Sequence, residues 1–314
     1  MTAGGSSSPH FADRLAALVE ERRSRVVLGL DPDPAALWPE AVAHIAGTGE
    51  PDDRSSRFAR AHTAEAVTAH CRAAIVAAGP ACVAVKPQLA CFERLGAPGW
   101  EALEQTVAIA RDHGLLVLAD GKRGDVPVTA SAYAQALVGE TPGPFGPVAG
   151  LGADAFTANP LLGRDALEPL ADAAVSAGAG CFVLVRTSNP GAAELQDEGD
   201  PPFHERLARL VHELGESRRG DCGLSAIGAV TGATRPDHLR RLRELMPHAI
   251  FLLPGVGAQG GKVEDLGAAF SPHPAAGLVT ASRSIVNAHA DRGGDPATAA
   301  AGAAEELRAA AWDL

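Results

Sequence analysis

Asp120, Lys122, Arg123 and Asp125 set four charges within six residues, directly after the apolar run 115–119. Two carboxylates held near an ammonium bias one another's proton affinity, so such an array can transfer a proton or stabilise a charged intermediate. Asp120 and Lys122 are two apart. If the extended backbone persists through Gly121, their side chains leave on the same side, an acid beside a base. Gly124 then gives the backbone freedom to turn before Asp125. The competing reading is a solvated loop with an incidental ion pair.

The elements around this cluster favour chemistry. A continuous Leu/Val run between Gly114 and Gly121 suits a strand covered on both faces, and 129–137 is helical in composition. The order is therefore buried strand, charged loop, helix, which is where parallel α/β units carry their binding and catalytic groups. Further strand candidates begin near residues 26, 82, 155, 181, 224, 251 and 278, separated mostly by helix-compatible sequence. Eight strands with intervening helices predict the α/β class and a closed (β/α)8 TIM barrel. Residues 1–314 are expected to form a single barrel domain, loose at 1–9 and extended by C-terminal helical sequence from about 291 to 314. Segments 139–150 and 190–201 are expected to be loops, and 48–57 a polar break.

Composition narrows the partners. The formal charge of −11 opposes general attraction to nucleic acid or an anionic membrane. No N-terminal signal pattern and no membrane-length apolar run is present, so a cytoplasmic location is expected. The five cysteines lack CxxC or His/Cys metal spacing and are expected to be reduced and mostly buried. Neither HExxH nor GxGxxG occurs, and the GGK at 260–262 lacks Walker spacing. His62, His70, His204, His212, His238 and His248 fall mainly in segments expected to be helix surface.

On a barrel every strand's C-terminal end faces one mouth, so Asp31, Lys86, Asp120, Lys122, Ser188, Gln259 and Arg283 can converge despite their separation in sequence. PGVGAQGG at 254–261 and ASRS at 281–284 follow the last two strands, where barrels often grip phosphate with backbone donors and an arginine.

DGKRGD at 120–125, LDP at 30–32, VKPQLACFE at 85–93, VRTSNPG at 185–191, PGVGAQGG and ASRSI at 281–285 together resemble the orotidine 5'-phosphate decarboxylase family, in its longer bacterial subfamily. The resemblance runs from about residue 25 to 287. It implies a metal-free, cofactor-free conversion of orotidine 5'-phosphate to uridine 5'-phosphate and carbon dioxide in pyrimidine synthesis, carried out by a homodimer. It further implies a catalytic network of Lys86, Asp120, Lys122 and Asp125. Asp120 would lie near the departing carboxylate, Lys122 would protonate C6, and Asp125 with Thr129 would reach across the dimer interface. Lys86 would orient the acids and bind ribose, and Asp31 would contact a ribose hydroxyl. Ser188 would meet the pyrimidine, and Gln259 and Arg283 would close on the phosphate.

Three rivals use the same residues differently. A magnesium-dependent sugar-phosphate barrel can reuse D-x-K-x-x-D, but it typically carries an acid where Lys86 stands. A Schiff-base aldolase would need Lys122 or Lys86 as a neutral amine, which neighbouring carboxylates oppose. A non-catalytic phosphate binder would keep Gln259 and Arg283 without needing the full charge array.

Overall fold

The computed structural model describes residues 9–46, 56–257 and 260–314. Most of the expected loose N-terminus, most of the 48–57 break and Gln259 lie outside the described residues. The first elements are α1 (Phe11–Arg22), β1 (Val26–Leu30), α2 (Pro39–Ala46), α3 (Ser56–Ala78) and β2 (Ala84–Pro87). Next come α4 (Leu89–Glu93), α5 (Ala97–Asp112), β3 (Leu116–Arg123) and α6 (Pro127–Leu137). A short pair, β4 (Glu140–Thr141) and β5 (Val148–Ala149), precedes β6 (Ala155–Ala158), α7 (Arg164–Ser176), β7 (Gly180–Arg186) and α8 (Ala193–Gln196). The rest are α9 (Phe203–Gly215), β8 (Ile227–Thr231), α10 (Pro236–Leu245), β9 (Phe251–Leu253), β10 (Gly277–Ala281), α11 (Arg283–Val286), α12 (Ala288–Arg292) and α13 (Pro296–Trp312).

Eight strands close into a barrel in the order β1-β10-β9-β8-β7-β6-β3-β2, with parallel pairing wherever a register is recorded. This is the expected (β/α)8 TIM barrel. The Leu/Val/Ala runs form strands because both faces are covered: every residue of β1, β2, β6, β8, β9 and β10 is buried. Outer helices show the complementary pattern. In α9 the buried Leu207, Ala208, Val211 and Leu214 recur at helical spacing, leaving the charged face outward.

Two expectations change. Segment 139–150 is a two-stranded antiparallel hairpin, with Glu140 opposite Ala149 and Thr141 opposite Val148; its Gly/Pro content conceals the pairing because only two residues per strand take part. Segment 190–201 is not all loop, since it carries a 3-10 turn at Pro190–Ala192 and then α8.

The chain divides into two compact units, residues 1–23, 122–279 and 314 in one, 24–121 and 280–313 in the other. In the second, the expected C-terminal helix is α13. Asp295 starts it by accepting from the Thr298 N–H at 2.8 Å, and the Arg25 guanidinium lies 5.2 Å from the Trp312 ring centroid. Among the described residues no helix is long and apolar enough to cross a membrane.

In the first unit, the segment after the glycine-rich 254–261 stretch is tied down by Arg243. Its guanidinium donates to the carbonyls of Met246 (2.9 Å), Ala249 (2.7 Å), Ala269 (2.8 Å) and Ala276 (2.9 Å) and lies 3.7 Å from the Phe251 ring centroid. Arg243→Met keeps the bulk but removes the guanidinium bond from four carbonyls, of which Met246 keeps the Ala249 N–H, so denaturant unfolding is expected to show a loss of about 4 kcal/mol. A change under about 1 kcal/mol would show that water replaces these bonds at little cost.

Candidate active site

Lys86 and Asp120 form a buried ion pair. The Lys86 Nζ donates to Asp120 Oδ2 at 2.7 Å, and the two residues are 7% and 5% exposed. Strand register explains the reach. β2 and β3 align Ala84 with Leu116 and Val85 with Val117, and an isolated bridge continues this register to Gln88 and Asp120. Lys86 is thus two rows short of Asp120, roughly 6.6 Å along the strand, a distance its long side chain spans. Gln88 Nε2 adds a second donor to the same oxygen at 3.3 Å. Burial by itself would lower the Lys86 pKa, but the charges of Asp120 and Asp31 outweigh it and raise the value above that of an ordinary lysine. Lys86 was expected where an apolar run ends; it is in fact a buried strand residue, and the carboxylates make that burial tolerable.

Asp31, exposed after β1, borders a cavity of about 40 Å³ together with His70, Ser282, Arg283 and Asn287. Arg283 opens α11 and is exposed. Arg94, which sequence reasoning passed over, steadies the loop after β1 by donating to the Pro32 carbonyl at 2.5 Å. His70 was expected on a helix surface and is instead 3% exposed. Its Nδ1 accepts from the Trp38 N–H at 3.1 Å, while Trp38 Nε1 donates to the Val286 carbonyl at 3.0 Å. Burial, with a smaller effect from His289, pushes the His70 pKa down to about 4, so the ring is neutral at pH 7.

Lys122 is exposed and has φ of +48°. The expected same-side exit of Asp120 and Lys122 rested on extended backbone. At Lys122 the backbone is left-handed, so strand alternation no longer sets the side chain's direction. Such a conformation costs a non-glycine residue about 1 kcal/mol and persists where neighbours impose it. Here β6 and the residue after it supply them: the Lys122 N–H donates to the buried Thr157 hydroxyl at 2.9 Å, and the Asn159 N–H donates to the Arg123 carbonyl at 2.8 Å. Gly124 is needed for space rather than for a left-handed turn, because a Cβ there would sit 2.7 Å from the Asn159 carbonyl oxygen. Arg123 lies over Tyr133 of α6, 5.3 Å from the ring centroid. Asp125 is half-buried and accepts from the Val126 N–H at 2.7 Å; Thr129 is exposed near the start of α6. Thr157 had no sequence signal, since a threonine inside AFTA reads simply as strand.

Ser188 follows β7 and is half-buried. Below it, Arg186 grips Asp197 with both ends of its guanidinium, at 2.8 and 3.0 Å. His204 was expected on a helix surface but is 5% exposed; its Nδ1 lies 3.2 Å from Asp197, and its ring stacks on His238 at 4.8 Å. The ligand atoms of Asp197, His204 and His238 all lie within 4.8 Å of one another, a grouping that their spacing in sequence hides. Both Asp197 oxygens already accept from a guanidinium, and a cation there would face that charge, so the cluster works as a structural clasp.

Residues 24–300 match the family described as "Orotidine 5'-phosphate decarboxylase / HUMPS family". The orotidine 5'-phosphate decarboxylase of Rhodopirellula baltica is 41% identical over 281 residues, 89% of each chain. That of Deinococcus radiodurans is 40% identical over 279 residues, 88% of this chain and 89% of its own. The solved OMP decarboxylase of Leishmania donovani superposes with a TM-score of 0.68 at 29% identity, over 96% of this chain and 99% of that one.

The raised Lys86 pKa has a consequence for stability. Lys86 contributes stability that is complete below the unfolded lysine value of about 10.4 and is lost as pH rises through the higher folded value. Asp120→Asn removes the main opposing charge, so burial is expected to destabilise the ammonium and cost about 3 kcal/mol at pH 7. Denaturant titrations should show the gap between parent and variant narrowing as pH rises toward 11. A pH-independent gap would mean that packing, and not the ion pair, sets it.

Proposed function

The chain belongs to the orotidine 5'-phosphate decarboxylase family, and from that membership we propose that it converts orotidine 5'-phosphate to uridine 5'-phosphate and carbon dioxide, without metal or cofactor. The observation that carries the residue assignment is the buried pair of Lys86 on β2 with Asp120 on β3, the strand that also bears Lys122. Breaking the C6–carboxylate bond leaves its electron pair on C6 with no adjacent sink. A fixed ammonium stabilises that pair and then protonates it. In this reading Lys122 is the donor, Asp120 stands beside the departing carboxylate, and Lys86 holds Asp120 in place. Asp31 contacts ribose, Ser188 the pyrimidine, and Gln259 and Arg283 the phosphate. The Schiff-base rival loses ground at Lys86, because a raised pKa keeps that nitrogen protonated.

A homodimer with Asp125 and Thr129 contributed across its interface belongs to the same reading. Support comes from the adjoining residues: Val126 and Val128 are 54% and 84% exposed. Exposed valines between Asp125 and Thr129 suit a covered face. A cytoplasmic location fits five cysteines that form no disulfide.

Lys122→Ala is expected to lower kcat by a thousandfold or more, at least about 4 kcal/mol of transition-state stabilisation, while leaving the unfolding curve unchanged. Mixing Lys122→Ala with Asp125→Ala and allowing subunit exchange should restore activity, because a heterodimer gathers both lesions into one site and leaves the other intact. Absorbance and released carbon dioxide report the recovery; none from verified heterodimers would rule out the shared site.

Arg283→Ala should raise the KM for orotidine 5'-phosphate about a hundredfold and leave turnover of orotidine, which lacks the phosphate, unchanged. Equal losses on the two substrates would remove Arg283 from the phosphate.

A further inference from the structure

The loop that follows β7 is held by one side chain in a way that the charge array does not explain. Gln196, the last residue of α8, folds back onto Thr187. Its Oε1 accepts from the Thr187 N–H at 2.8 Å, and its Nε2 donates to the Thr187 hydroxyl at 3.0 Å. That hydroxyl in turn donates to Asn189 Oδ1 at 2.7 Å. The orientation of the Gln196 amide is fixed, because a backbone N–H can only donate and so requires the amide oxygen. Two contacts from one planar amide set both the main chain and the side chain of Thr187, and with them the direction in which Ser188 leaves it.

Both flanks of this clasp are anchored. On one side the Gly232 N–H donates to the Arg186 carbonyl at 2.7 Å, and Gly232 lies so close that a Cβ would meet Ser188 Cα at 2.9 Å. On the other, the Gln196 carbonyl is 2.7 Å from His204 Nδ1, and the next residue, Asp197, is gripped by Arg186. Exposed loops of this length ordinarily sample several conformations; this one is pinned at residues 186, 187, 196 and 197.

We propose that Gln196 is a positioning residue for nucleobase recognition: it holds Thr187 so that Ser188 is presented to the pyrimidine in a single orientation, with Arg186, Asp197 and His204 as its foundation. The inference rests on the reading of Ser188 as the base contact. Gln196 touches no substrate atom in this scheme. Its effect is to remove the ordering cost that a free loop would charge against binding.

The test compares uridine 5'-phosphate with ribose 5-phosphate, which keeps the ribose and phosphate but has no base. Gln196→Ala is expected to weaken binding of uridine 5'-phosphate about tenfold, the loss of one or two hydrogen bonds' worth of preorganisation, and to leave ribose 5-phosphate unchanged. KM for orotidine 5'-phosphate should rise in parallel, with kcat reduced less. Gln196→Glu keeps an acceptor for the Thr187 N–H and hydroxyl and should recover affinity to within about threefold. In the double variant with Ser188→Ala, Gln196→Ala should add no more than about twofold, because the two act through one contact. Equal losses for both ligands, or full additivity with Ser188→Ala, would overturn the proposal in favour of a scaffold role. If Ser188→Ala weakens the nucleotide while Gln196→Ala does not, the proposal fails and the base-contact reading stands. If Ser188→Ala itself binds uridine 5'-phosphate normally, that reading fails and the proposal with it. Should Gln196→Ala not fold, Thr187→Val carries the test, removing only the hydroxyl end of the clasp: about threefold is expected for the nucleotide and no change for ribose 5-phosphate, and an unchanged nucleotide affinity overturns the proposal.

Discussion

Burial of Lys86 against Asp120 is the constraint around which β2 and β3 are arranged. An ammonium and a carboxylate withdrawn from water each lose several kcal/mol of hydration, and only close, well-oriented pairing offsets that loss. The 2.7 Å contact, the second donor from Gln88 and the charge of Asp31 supply the pairing. The arrangement tolerates little variation, since removing either partner strands the other in the interior. A pair this costly adds little net stability over an apolar alternative, so its value lies in holding a carboxylate in a fixed place.

From Asp120 the same strand runs on to Lys122, and the nature of the restraint changes. Asp120 is fixed by charge, whereas Lys122 is fixed through its backbone: β6 and the residue after it provide the Thr157 hydroxyl for its N–H, the Asn159 N–H for the next carbonyl, and close packing at Gly124. A left-handed lysine is a small store of strain, and these bonds are what sustain it. The long side chain remains exposed while its root is held. The proton transfer proposed for Lys122 needs that combination, because its nitrogen would have to reach substrate without carrying the whole loop along.

The barrel was legible in the sequence because strands buried on both faces are continuous apolar runs, and eight of these alternate with helix-compatible segments. The strand ends were less legible: Ser188 follows its strand as expected, but Lys86 lies within β2 and β3 runs past Asp120 to Arg123, because the backbone pairing continues where the apolar run has stopped. Other features left no such trace. Thr157 looks like any strand threonine until its partner from residue 122 is known. His70 and His204 sit in helical segments whose buried faces depend on which neighbours pack there, and the Asp197, His204 and His238 cluster is assembled from a loop and two helices. The β4–β5 hairpin is too short for a period-two pattern to register. Each of these is a pairing over distance, which local periodicity does not encode.

The contrast between the two lysines decides the division of labour in the proposed reaction. A raised pKa means that Lys86 holds its proton more tightly than an ordinary lysine, and donation from it would leave two carboxylates facing an uncharged amine in a buried setting. Lys86 is therefore a poor acid and a good fixed cation. Protonating a carbanion calls for an ammonium that can meet the substrate and be replenished from solvent. Lys122 is exposed, on the strand that carries Asp120, and rooted by its backbone rather than by a buried ion pair. Burial thus separates two chemically identical groups, and under the proposed reaction one serves as a positioning charge and the other as the proton donor. That separation follows from the register of β2 on β3 and the turn at residue 122, with no difference in residue type required.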